Sequence, residues 1–376
     1  MIKLLSLFSG IGAFEKALTN IDEPYKTLAW CEIDKFASKS YCAIHNEKEE
    51  NNLGDVCNVH MCDRLRETNL ITYGFPCTDI SLSGCQKGMI DEDGNMTRSG
   101  LFFEALRVIQ EIQPCFAICE NIAALATSKK WTNEFKIVLD GLSEAGYENY
   151  WKVLDARDYG VPQHRERVFI VSVRKDIARG FDFPKPYPLD KCIRDILEPE
   201  ESIEEKHYLK PSRLEKLIWY NPPIESCGIV TSGSLNTGYQ RDRVLSVDGV
   251  SQTLSATDYK QPAQIDVRQI AKIESHRDNP NQYRVYDQLG VSPTLTTMNG
   301  GGRQPHIPVN GGVRRFTPLE CLRLMGFDDK DYKACKDAGI SDVQLYKQSG
   351  NSIVVDVLEE IFVELLNQYA DVVDAD

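Results

Sequence analysis

Cys77 stands directly after a proline in YGFPCTDIS (73–81), where the apolar Leu70 and Ile71 give way to a polar, glycine-punctuated loop. A free cysteine is most often a small buried hydrophobe, and closing a strand end is its ordinary role. The alternative is a thiol presented for nucleophilic attack, with Pro76 fixing the backbone and removing a donor that would continue a strand. Glu120 follows a second apolar run, CFAIC, where its ordinary role is a helix cap ahead of Ile122. If both runs are strands of one parallel sheet, thiol and carboxyl share an edge, a pairing suited to nucleophilic addition with proton transfer. Gln163-His164-Arg165-Glu166-Arg167 precedes a third run, VFIVSV, and strand alternation puts Gln163, Arg165 and Arg167 on one face. Two arginines there could grip a phosphate or a carbonyl oxygen and depress a thiol pKa, against the plain reading of a charged edge strand.

A second group of residues has the character of a nucleoside site. Gly10-x-Gly12 lies between a predicted strand and a predicted helix, but the third glycine of a dinucleotide fingerprint is replaced by Glu15, which disfavours a diphosphate. Glu32 beyond the next strand could accept from ribose hydroxyls, and Asp55 in NLGDV from an adenine amino group. Each acid alone reads as a solvated loop residue. Together, at successive strand ends, they suit an adenosine ligand without a diphosphate.

These groups need a scaffold that brings strand ends together. KLLSLF (3–8), TLAWC (27–31), residues 70–75, residues 116–120 and residues 168–173 read as strands, and helical periodicity falls between them, at 36–44, 101–112 and 135–145. The alternation predicts a mostly parallel, doubly wound α/β sheet. Three prolines in FDFPKPYPLD end this rhythm near residue 180. Beyond it Arg243-Val244, Gly249-Val250-Ser251 and Thr253-Leu254 recur 41 residues later as Arg284-Val285, Gly290-Val291-Ser292 and Thr294-Leu295, a pair of related strand-turn units. Helical patterns return at 317–325 and 352–366.

At 376 residues the chain exceeds the size at which single cores stop growing, and two domains are expected. No apolar run reaches the ~18 residues of a membrane span. The first residues are interrupted by Ser9, Gly10 and Gly12 and followed by Glu15 and Lys16, which reads as structure and not as a leader. The 12 cysteines show no Cys-x-x-Cys and no ligand pairs, so free thiols in a reducing compartment are expected, and no metal site. The net charge is −13, yet residues 206–316 carry 14 lysines and arginines against 9 acids. A locally basic module on an acidic body is one reading of that contrast, and scattered solvated charge is the other.

The ordered series SLFSGIGAF (6–14), GFPCTDIS (74–81), ENI (120–122), QHRER (163–167), RRFTPLECLRLMGF (314–327) and QSGNSIVVDVL (348–358) resembles the DNA cytosine methyltransferases that modify carbon 5. The resemblance implies a Rossmann-like, S-adenosyl-L-methionine-dependent catalytic domain (1–179 and 345–376) and a smaller, mostly β or irregular target recognition domain (180–344). It implies that Cys77 attacks carbon 6 of a flipped cytosine and that Glu120 engages N3. It further implies Arg167 on the base O2 and Arg165 on the phosphate or thiolate side, with S-adenosyl-L-homocysteine as product. Phe8, Gly10, Gly12, Glu32, Ile33, Asp55, Asn351 and Ser352 would line the cofactor path. Double-stranded DNA would be met by Thr78, Ser83 and Gln86 in the loop after the nucleophile. Arg241, Arg243, Asn299 and Arg303 are candidates in the variable segment.

A monomer in the cytoplasm of a bacterial or phage-infected cell, with a cognate restriction endonuclease as a partner to consider, completes this expectation. Two residues depart from the commonest pattern: Ser6, where an acid often stands, and Thr78, where glutamine is frequent. Related chemistry on transfer RNA, a non-catalytic relative and a nicotinamide dehydrogenase are the rival readings.

Overall fold

A computed structural model describes residues 1–77, 79–80, 88–91, 93–215, 217–219, 231–234, 243–245, 269–273, 284–297, 304–309 and 312–374. The first apolar run becomes β1 (Ile2–Leu7), buried on both faces as a central parallel strand must be. Phe8 then takes a left-handed backbone (φ 54), which breaks the strand and turns the chain into the Ser9–Gly12 loop. Next come α1 (Ala13–Asn20), β2 (Tyr25–Cys31), α2 (Lys35–His45), β3 (Leu70–Tyr73), α3 (Phe102–Ile112) and β4 (Phe116–Ile122). α4 (Ala123–Thr127), α5 (Thr132–Glu144), β5 (Tyr147–Asp155) and β6 (Glu166–Arg174) complete the first half.

The six strands lie in the order β2-β1-β3-β4-β6-β5. β1 to β4 are mutually parallel, whereas β6 runs antiparallel to both β4 and β5. The sheet is mostly parallel, as expected, and the one strand that runs backwards matters to the site. QHRER precedes its strand, so in a parallel β6 it would sit at the edge opposite Glu120. Running backwards, β6 places Arg167 beside Ile122. β5 was not expected at all, because it is an edge strand with Glu148, Trp151 and Lys152 exposed, and it lacks an apolar run.

The second half holds α6 (Pro211–Leu214), β7 (Leu217–Trp219), β8 (Thr231–Ser234), β9 (Arg243–Leu245), β10 (Gln269–Ile273), β11 (Arg284–Tyr286), β12 (His306–Val309) and β13 (Gly312–Arg315). A small sheet orders them β13-β12-β11-β10-β7, and β8 pairs with β9. Four helices follow: α7 (Pro318–Arg323), α8 (Asp329–Asp337), α9 (Asp342–Asn351) and α10 (Val355–Asp374). α7 starts where Thr317 and Glu320 form a reciprocal capping box with Pro318 in the first turn. Arg314 and Glu320 pair at 2.9 Å with neither side chain exposed, fixing β13 to α7.

α10 packs along α1, with Phe362 against Phe14 at 6.3 Å edge to face and Tyr369 against Phe116 at 5.3 Å. Phe362 and Tyr369 are fully buried there, and each such ring adds about 1.5–3 kcal/mol. The final helix therefore belongs to the first half of the chain.

Gly12 shows how tightly the loop after β1 is backed. It caps α1 at φ +82, and a Cβ there would lie 2.1 Å from His45 Nε2 and 2.9 Å from Tyr41. His45 is half-buried, its pKa pushed down by burial, and its Nε2 donates to the Ile11 carbonyl at 3.0 Å. Gly12→Ala is expected to cost about 1–3 kcal/mol through left-handed strain and the clash. An unchanged urea midpoint would contradict this packing.

Candidate active site

A cavity of about 450 Å³ opens at the carboxyl ends of β1 to β4. Phe8 and Gly10 reach it from the first turn, and Glu32 and Ile33 from the end of β2. Asp55 joins them from the segment before β3, Cys77 from the loop after β3, and Glu120 from the end of β4. Arg165 and Arg167 enter from the start of β6, Asn351 and Ser352 from the end of α9. Residues from both ends of the sequence meet in one hollow. Gly12 faces α2 instead.

Cys77 is half-buried beyond Pro76. Asn121, itself buried, donates through Nδ2 to the Phe75 carbonyl at 3.0 Å, and so ties the segment before Cys77 to β4. Ile80 N–H closes a turn on the Cys77 carbonyl at 3.1 Å. Glu120 lies in the last rungs of β4, and its Oε1 is 3.0 Å from Arg167 Nε. Burial pushes the Glu120 carboxyl up from its ordinary range, with Arg167 and Arg165 pulling against it. Burial and then the Glu120 charge raise the Cys77 thiol, again opposed by the two arginines. The pair suits addition in which the acid delivers a proton as the sulfur bonds carbon.

Arg165 is spent on backbone. Its guanidinium donates to the carbonyls of Leu295 (2.9 Å), Gly350 (3.1 Å) and Ser352 (2.6 Å). Its pKa is lowered to about 9, by burial first and then by Arg167. The buried Nε–H has no acceptor among the described residues. Gln163 takes Leu295 N–H on its side-chain oxygen (3.1 Å) and donates to Leu324 (2.8 Å). Ser292 exchanges backbone hydrogen bonds with Pro162 (2.6 Å) and His164 (2.8 Å). Residues 291–297 thus form a strap laid along the start of β6. A Cβ on Gly350 would lie 2.1 Å from the Thr296 carbonyl oxygen, so the strap and the end of α9 touch backbone to backbone.

On the nucleoside side, Glu32 accepts from Gly10 N–H (2.9 Å) and Asp34 N–H (2.7 Å). Burial raises its pKa and these amides pull it back. A carboxylate already holding the Gly10 amide would repel a diphosphate there, and it suits sugar hydroxyls. Ile33 is 73% exposed, an apolar face left open at the rim and suited to a base. Asn52 accepts from Glu32 N–H (3.1 Å) and Gly54 N–H (2.9 Å) and donates to the Glu32 carbonyl (3.0 Å). It joins the Glu32 and Asp55 segments.

Asn121 and Asn52 were not singled out from the sequence. Asn121 carried a signal, a polar residue at the end of a buried strand. Asn52 carried none, since its neighbourhood reads as ordinary turn composition. Thr78, Ser83, Gln86, Arg241, Asn299 and Arg303 lie outside the described residues, and of Arg243 only the backbone in β9 is described.

The profile of the family described as C-5 cytosine-specific DNA methylase matches residues 2–367. The orphan methyltransferase M.SPRI of Bacillus phage SPR is 34% identical over 98% of each chain. The type II methyltransferase M.HhaI of Haemophilus parahaemolyticus is 31% identical, over 96% of this chain and 93% of its own. Among solved structures, the Dnmt2 methyltransferase of S. pombe superposes with a TM-score of 0.61 at 16% identity. The Entamoeba histolytica methyltransferase EhMeth superposes at 0.64 and 16%, each over 98% of both chains.

Proposed function

Because the chain belongs to the C-5 cytosine-specific DNA methylases, we propose that it methylates carbon 5 of a cytosine flipped out of a specific double-stranded DNA sequence. The observation that carries the reading is the meeting of Cys77, Glu120 and Arg167 at one end of a cavity whose other end has the acids and apolar face of a nucleoside site.

Cytosine carbon 5 is a poor nucleophile while the ring is aromatic. Addition of the Cys77 sulfur at carbon 6 moves an electron pair toward N3, and a proton held on Glu120 neutralises it there. Arg167 keeps the Glu120 carboxyl in place through Nε and gives Nη1 to the Glu166 carbonyl, which leaves Nη2 to meet the base O2. S-adenosylmethionine supplies the methyl group. A base then takes the carbon-5 proton, the carbon–sulfur electron pair leaves with Cys77 as thiolate, and the N3 proton returns to Glu120, which restores the ring. A base within a duplex is shielded from both groups, so it must leave the stack.

Phe8, Gly10, Glu32, Ile33, Asp55, Asn351 and Ser352 would hold the cofactor. Residues 1–179 and 345–376 carry the chemistry, and 180–344 read the DNA. A single copy suffices for one flipped base, and a cognate endonuclease is the partner to seek.

Labelled S-adenosylmethionine and mixed-sequence double-stranded DNA test this reading. Label at cytosine carbon 5 is expected, and bisulfite sequencing of the product then gives the target site. Absence of label in DNA, or label in RNA alone, overturns the proposal.

A further inference from the structure

We propose that Asp34 and Lys347 form a latch across the rim of the cofactor cavity and set how quickly that ligand leaves, an inference that rests on the functional reading above. The two residues are 313 positions apart in sequence, yet Lys347 Nζ donates to Asp34 Oδ2, and both side chains line the cavity.

Their places in the fold give the contact its purpose. Asp34 follows Ile33, the exposed apolar residue of the rim. Lys347 lies on α9 one turn before Asn351, so the pair spans the opening between the β2–α2 turn and the end of α9. Asp34 is held in three ways. Its Oδ1 caps α2 by accepting from Phe36 N–H (2.9 Å) and Ala37 N–H (3.3 Å), and its own N–H donates to Glu32 Oε1 (2.7 Å). Glu32 in turn holds Gly10 N–H. A continuous chain of hydrogen bonds therefore runs from the glycine turn through Glu32 and Asp34 to α9.

A second tie, Ser40 Oγ to Gln348 Oε1 at 3.0 Å, is buried beneath it. The inner tie keeps the helices together when the outer one opens. The outer pair is roughly one-third exposed on each side and so able to part in water. Despite burial, the Lys347 ammonium and the α2 amides hold the Asp34 carboxyl below its ordinary range.

Lys347→Met keeps the aliphatic stem, and Asp34→Asn keeps a helix-capping oxygen; each removes one charge. Release of S-adenosylhomocysteine, followed by stopped-flow tryptophan fluorescence on the full chain, should accelerate about fivefold in either variant. The double variant should be no faster than the singles. Raising salt from about 0.1 to about 1 M should speed release from the unaltered protein and leave the variants unmoved. Unchanged release, additive effects, or equal salt responses would overturn the latch. A lowered apo melting temperature with unchanged release would show the pair to be structural only, which overturns it too. Failure of the unaltered protein to bind S-adenosylhomocysteine would instead sink the functional reading, and the two failures are distinct.

Discussion

Cys77→Ala is expected to end methyl transfer, lowering the single-turnover rate by at least about a thousandfold, or roughly 4 kcal/mol of transition-state stabilisation. The size of the effect follows from the ring chemistry, because without addition at carbon 6 the methyl acceptor is not formed. Cys31, the other thiol lining the cavity among the described residues, does not replace it. Burial, followed by the charges of Asp55 and Glu32, pushes its pKa to about 12, which leaves almost no thiolate. DNA bearing fluorine at cytosine carbon 5 gives a second readout, since the proton that must leave is missing. The unaltered protein should then form a complex that survives denaturation, and Cys77→Ala should form none. A variant that still incorporates label would remove Cys77 from the mechanism.

The second large effect is expected for Glu120→Gln, which keeps the shape and removes the transferable proton. A loss of about 10²–10⁴ in kcat/KM is expected from the missing general acid. Its pH dependence is the sharper test. Glu120 titrates above its ordinary range and Cys77 above its own. Between the two pKa values, each pH unit gains about tenfold in thiolate and loses about tenfold in protonated acid. The profile of the unaltered protein is therefore flat across that window. In Glu120→Gln only the thiolate gain remains, and the logarithm of kcat/KM should climb with unit slope until Cys77 has titrated. A flat profile in both proteins would show that Glu120 donates no proton.

The strands that precede Glu32 and Cys77 and the one that bears Glu120 were legible because buried parallel strands leave unbroken apolar runs, whereas Asp55, expected at a strand end, caps a short turn before β3. β5 was not, since an edge strand with Trp151 and Lys152 in solvent carries no such run. The direction of β6 was also hidden. Strand pairing is a non-local property, and the same letters VFIVSV fit either orientation. Recognising QHRER from its resemblance placed Arg167 near Glu120, but only the antiparallel ladder explains how a segment that precedes its strand reaches the end of β4. α8 went unnoticed because DKDYKACKD is mostly polar, and it is held to α1 by Lys16 with Asp328 and Asp331 at 3.1 and 2.9 Å. Nothing local to Lys347 reveals a partner 313 residues away. Arg165 reads in the sequence as a residue of the phosphate or thiolate side, and no local pattern joins it to its three backbone acceptors, which come from two distant segments.

The strap at 291–297 bears on how such a protein can be recut. Its hydrogen bonds reach the segment from Pro162 to Arg165, and Thr296 lies against Gly350, all on the unit bearing the reactive groups. A transplanted reading segment would therefore have to supply its own equivalents of Ser292 and Leu295 and a backbone free to lie on Gly350, or else be joined so that the strap stays with its host. If residues 180–344 read DNA as proposed, exchange of that segment would have to stop at this main-chain fit.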